Sequence, residues 1–141
     1  PFIGQAGKLL DKILEAVKLK RENVYIANIL KDRPPNNRDP KIEEEHACLP
    51  FLIKQIQIIR PKIICCLGRV SAKALLKVNY SMKEMRGKIY SYQGIPLVVT
   101  YHPAALLRNA KLKRPTWDDF QFLLRTLDEI RRKNNNPQIM G

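Results

Sequence analysis

The sequence predicts an α/β domain, a mostly parallel sheet with helices on both faces. Three observations predict it. Two short, nearly unbroken apolar runs, NVYIANILK (23–31) and KIICCLG (62–68), have strand length and little polar alternation, the pattern of strands buried on both faces. Segments with helical spacing separate them. The order strand, helix, strand, helix, strand, helix calls for crossover connections over a parallel sheet.

Residues 5–19 place Leu9, Leu10, Ile13, Leu14 and Val17 at helical spacing, with lysines on the outer face. The run 23–31 follows as a strand, interrupted near its end by Asn28. RPPNNRDP (33–40) is a loop, because its prolines remove donors and restrict their neighbours. Asp39 then Pro40 reads as an N-cap and first helical residue, with Glu43, Glu44 and Glu45 in the first turns. That helix reaches about Arg60, with Leu49, Leu52, Ile53, Ile56 and Ile59 inward, and Pro61 ends it.

KIICCLG is the second strand, closed by Gly68, and residues 69–78 form a helix. Residues 88–101 hold two β runs around Gln93–Gly94, as one hairpin or one bent strand. HPAALLRN (102–109) reads as a loop at a strand end. Thr116 and Asp119 have the spacing of a cap before a last helix. Trp117, Phe120, Leu123, Leu124, Leu127 and Ile130 form its core face. Residues 1–133 are expected to be one domain and 134–141 a polar tail.

The 141 residues suffice for one core. No run approaches the ~18–20 apolar residues of a membrane helix, and the start has no signal-peptide pattern. A cytoplasmic, prokaryotic, nucleoid-associated protein is expected. Pro1 is followed almost at once by a helix, so position 1 is expected to be a cut. Lys plus Arg is 26 against 13 Asp plus Glu, a formal net charge of +13. A domain this basic meets a polyanion, nucleic acid before an anionic membrane, or carries a lysine-rich surface adapted to heat. Three cysteines, two of them adjacent, are not a disulfide framework. Cys65 and Cys66, inside the apolar run, are expected to pack in the core.

In a parallel sheet ligands bind at the carboxyl ends of strands. Those ends carry Asn28, Gly68–Arg69 and His102. No HExxH, Walker or GxGxxG pattern is present. An amide at Asn28 has a donor and an acceptor, so it can match two adjacent atoms of a nucleobase. After His102 the segment offers an apolar tip, Ala105, Leu106 and Leu107, beside Arg108. A protein wedging into a base stack while gripping phosphate uses such a pair. Equally, both leucines could pack inward, and Asn28 could simply end its strand.

YIANILK, RPPNNRDP, Cys48 before PFL, RPKIICCLGR, RGKIY, GIPLVVTYHP, and HPAALLRN followed by LKRPTWDDF match in order and spacing those of the iron–sulfur (family 4) uracil-DNA glycosylases. The chain resembles that family over nearly its whole length, and PFIGQAGKLLDK resembles the segment just after its first motif. The resemblance implies a three-layer α/β/α sandwich. It also implies hydrolysis of the bond between uracil and deoxyribose in DNA, single- or double-stranded, after base flipping. By position, Phe2 stacks on uracil, Asn28 pairs with its O4 and N3–H, and His102 donates to its O2. Leu106 fills the gap left by the flipped base, and Arg108, Lys111, Lys113 and Arg114 hold phosphates. A monomer without membrane partners is implied.

Two departures accompany the resemblance. The family's opening motif resembles GExPG and carries an acid that handles water; the present sequence begins after it. The family also binds a 4Fe–4S cluster through four cysteines, two of them upstream. Of the others, Cys48 is present and the second position holds Asp32. Thiolates are the usual ligands of such clusters, so no cluster is expected in this stretch, and the stretch alone is expected to be inactive. The alternative function is a non-catalytic nucleic-acid-binding domain with a degenerate uracil pocket. A weaker one is a basic domain acting on another nucleotide or small ligand.

Overall fold

A computed structural model describes residues 5–18, 24–27 and 42–135, with residues 6, 42–48, 134 and 135 described by backbone alone. Helix α1 (Gln5–Ala16) is followed by strand β1 (Val24–Ala27), helix α2 (Ile42–Ile59) and strand β2 (Ile63–Leu67). Helix α3 (Gly68–Leu76), a single-turn helix α4 (Met82–Met85) and the strands β3 (Tyr90–Tyr92) and β4 (Ile95–Thr100) come next. A short helix α5 (Pro103–Arg108), a 3-10 turn (Ala110–Leu112) and the long helix α6 (Lys113–Asn135) complete the order.

Among the described residues, four strands lie in the order β1-β2-β4-β3. β1 with β2 and β2 with β4 run parallel, and β3 pairs antiparallel with β4. Of the two readings of residues 88–101, the hairpin is the one adopted. Gln93 (φ +50°) and Gly94 (φ +81°) both take left-handed backbone at its turn, which twists the ribbon in the sense the strands require.

The run IICCL is buried at every position because its alternate side chains enter two different cores. Ile64 and Cys66 join Ala27, Leu97 and Val99 beneath α2 and α3, with Leu52, Ile56, Ala72 and Leu75. Ile63, Cys65 and Leu67 join Val24 and Val98 beneath α1 and α6, with Leu10, Leu14, Phe120, Leu123 and Leu127. The sheet is therefore the middle of three layers. Each large side chain sealed this way contributes about 1.5–3 kcal/mol.

Several expectations are corrected. Ile59 is 52% exposed: at the last turn of α2 it has rotated past the sheet. HPAALLRN is mostly a helix; its apolar residues are too few for a period to show, but a cap at one end makes one turn and a half hold. The last helix begins at Lys113, three residues before the proposed cap. Thr116 lies inside it and its hydroxyl donates back to the carbonyl of Leu112 at 2.8 Å. The capping pattern belongs instead to α4. There the Ser81 hydroxyl accepts from Glu84 N–H, and the Glu84 carboxylate accepts from Ser81 N–H at 2.9 Å. Residues 28–31 of the first strand and the loop 33–40 lie outside the described residues.

Candidate active site at the strand ends

Register brings the carboxyl ends of the parallel strands to one edge. Ala27 pairs with Cys66, and Leu67 pairs with Thr100. β2 passes into α3 at Gly68, whose φ of +86° suits glycine. β4 ends at Thr100, and the chain passes through Tyr101 to His102, the N-cap of α5.

His102 is extended (φ −69°, ψ 138°), and Pro103 takes the first helical position, where a missing N–H costs nothing. The N–H of Ala104 donates to His102 Nδ1 at 3.0 Å. An accepting Nδ1 means a neutral ring with its proton on Nε2. That nitrogen is shielded from solvent. The cap thus performs two tasks: it satisfies a helix donor and fixes the imidazole as a donor at its far nitrogen. A Cβ placed on Gly68 would sit 3.5 Å from the His102 Cβ, so the two strand ends abut.

α5 packs on α1, and Leu106 is buried on it while Leu107 is 48% exposed. Leu106, expected to fill the gap left by the flipped base, is turned into the protein, and Leu107 is the leucine of the apolar tip that projects. Successive residues on a helix point about 100° apart, so burying one leucine turns the next outward. Arg108, Lys111, Lys113 and Arg114 are all exposed. Arg114 meets Asp118 at 3.4 Å in a solvent-washed pair, which is worth little.

Behind the histidine lies a polar cluster that the sequence did not reveal. Arg86 grips the Asp119 carboxylate with two nitrogens, Nε to Oδ2 at 2.7 Å and Nη2 to Oδ1 at 3.1 Å. Nη2 also donates to the carbonyl of Pro115 at 3.1 Å. The hydroxyl of Thr100 donates to Asp119 Oδ2 at 2.6 Å. The guanidinium carbon of Arg86 stands 4.9 Å from the Tyr101 ring centre. The hydrogen bonds to Asp119 hold the Arg86 pKa above its ordinary value. Only the T-x-x-D spacing hinted at Asp119, and it pointed to a cap.

Among the described residues no group of His, Cys, Asp and Glu is placed to hold a metal. Cys65 and Cys66 face opposite cores. Burial pushes both thiols well above their ordinary range, with Cys66 and Asp119 adding to the effect at Cys65. Neutral thiols on two sides of a sheet do not fit an iron–sulfur cluster, which takes thiolates converging on one point. Phe2, Asn28 and Asp32 and the side chain of Cys48 lie outside the described residues. Among the described residues no helix is long and apolar enough to cross a membrane.

A three-layer sandwich with a neutral histidine at the parallel strand ends is the frame into which sequence comparison fits. Residues 1–123 match the family model of the uracil DNA glycosylase superfamily. The chain belongs to that superfamily. It is 46% identical over 130 residues to a type-4 uracil-DNA glycosylase of Saccharolobus solfataricus, covering 86% of this chain and 60% of that protein. It is 46% identical over 121 residues to the type-4 enzyme of Pyrobaculum aerophilum (80% and 62%). With the type-4 enzyme of Archaeoglobus fulgidus the identity is 40% over 129 residues (86% and 65%). The chain thus spans about three fifths of the length of these relatives.

Proposed function

We propose that the protein containing this chain removes uracil from DNA by hydrolysing the N-glycosidic bond of a flipped-out nucleotide. One observation carries the reading: the Ala104 N–H to His102 Nδ1 bond, which leaves the imidazole neutral with a donor at Nε2. As the bond to deoxyribose lengthens, negative charge grows on the uracil oxygens. A fixed donor aimed at O2 meets more charge in the transition state than in the ground state, so it speeds the chemical step rather than merely tightening binding.

Recognition on this reading falls to Phe2, stacked on the ring, and to Asn28, whose amide matches O4 and N3–H. Cytosine reverses that donor and acceptor order and would leave buried polar groups unpaired, a steep penalty. Leu107, the exposed leucine of α5, takes the place of the flipped base, while Arg108, Lys111, Lys113 and Arg114 hold phosphates. Water attacks the anomeric carbon as uracil leaves with the bonding pair. The proton that the water gives up offsets the negative charge on the departing uracil.

The test is direct. The full-length protein is incubated with an oligonucleotide holding one uracil, and alkali-labile sites are sought. Cleavage at the uracil position, and none in the thymine control, is expected. An intact strand would refute the activity.

A further inference from the structure

The Asp119 carboxylate sits almost sealed in the protein, 8% exposed. A buried carboxylate is costly unless its lone pairs are met. Here Oδ2 takes Arg86 Nε and the Thr100 hydroxyl, and Oδ1 takes Arg86 Nη2. The donors come from the segment after α4 and the end of β4, 33 and 19 residues away in sequence. An apolar substitute would fill the same volume at no loss of stability in many proteins, but it would lack direction. A forked guanidinium on a carboxylate fixes both partners in angle as well as distance.

What these bonds fix is the stretch that delivers the histidine. Thr100 is held through its hydroxyl, and Tyr101 lies with its ring beneath the Arg86 guanidinium. His102 follows directly, and its ring is then set by Ala104 N–H. We infer that Asp119, with Arg86 and Thr100, is a positioning residue that holds the end of β4 so that His102 Nε2 keeps its aim at the leaving base. The inference rests on the glycosylase reading. It concerns residues that touch neither base nor phosphate on that reading.

The experiment is a double-mutant cycle in the full-length protein, read by single-turnover excision of uracil and by affinity for the same DNA. Thr100→Val keeps the shape of the side chain and removes the donor; Thr100→Ser keeps the donor. Arg86→Lys keeps the charge and loses the fork, and serves as a second variant if the valine does not fold. Thr100→Val and Arg86→Lys are each expected to slow excision about 10- to 100-fold, the scale of a small misplacement of a reacting group, with DNA affinity unchanged. Thr100→Ser is expected to restore the rate. In a His102→Ala background neither Thr100→Val nor Arg86→Lys should slow the reaction further, because the group they aim is gone.

Additive losses in that background, equal losses for serine and valine, or no loss at all would overturn the inference. If the unsubstituted protein leaves uracil in place, the glycosylase reading fails instead. The positioning claim is then read from the ¹⁵N signals of the His102 imidazole, which Thr100→Val should displace and Thr100→Ser should not. Unmoved signals would end it.

Discussion

Gly68 and His102 meet where two parallel strands end: a Cβ on the glycine would lie 3.5 Å from the Cβ of the histidine. That distance is ordinary contact, so an alanine would fit in space. It would not fit in backbone, because φ at Gly68 is +86°. Gly68→Ala is therefore expected to cost about 1–2 kcal/mol through left-handed strain. A lower midpoint in thermal or denaturant unfolding checks it. The loss should appear without a clash-driven shift of His102, whose ring signals should stay in place.

The two leucines of α5 should separate cleanly. Leu106 is buried and Leu107 is 48% exposed. Leu106→Ala is expected to destabilise the fold by about 2–5 kcal/mol, as large-to-small changes in a core do. Leu107→Ala should leave stability alone and slow excision from duplex DNA far more than from single strands, where no stack needs filling. Unfolding curves and paired activity assays on the two substrates test both halves.

Arg108, Lys111, Lys113 and Arg114 are exposed on one short stretch. If each neutralises a phosphate, each alanine replacement should flatten the plot of log affinity against log salt by about 0.9. The loss should be the same for uracil-containing and ordinary DNA. Titrations at several salt concentrations decide it.

The two core thiols predict a pH effect. Burial raises both above the ordinary value of 9.0. The folded protein then keeps protons that the unfolded chain releases above that value. Stability from this source is complete below pH 9 and falls as pH rises beyond it, by about 1.4 kcal/mol per pH unit for each thiol. A Cys65→Ala, Cys66→Ala double variant should lose that part of the slope. Denaturant unfolding between pH 8 and about pH 10.5, a window set by the thiol's ordinary ionisation, measures the difference.

The layers of the fold could be read from the chain because their signals are local. IICCL is apolar at every position, which only a strand covered on both faces permits, and Phe120, Leu123 and Leu127 repeat at helical spacing. The helix α5 escaped because six residues show no period. The regular period of its helix points Ile59 inward, and a period does not say where the sheet beneath it stops. His102 stood out as a polar residue at a strand end. Asp119 did not: a threonine three residues before an acid looks the same at a helix start as one turn inside. What distinguishes them is Arg86, 33 residues away, and no local pattern carries that pairing. Leu106 and Leu107 are likewise identical in type, and only the seat of α5 on α1 tells them apart.

Excision of uracil depends, on this reading, most on the donor at His102 Nε2. The decisive measurement is single-turnover excision of uracil by the full-length His102→Ala variant, beside its affinity for the same DNA. The rate is expected to fall about 100- to 1000-fold, the usual effect of removing one donor from developing negative charge, while affinity holds. Equal losses in rate and affinity, or an undiminished rate, would contradict it.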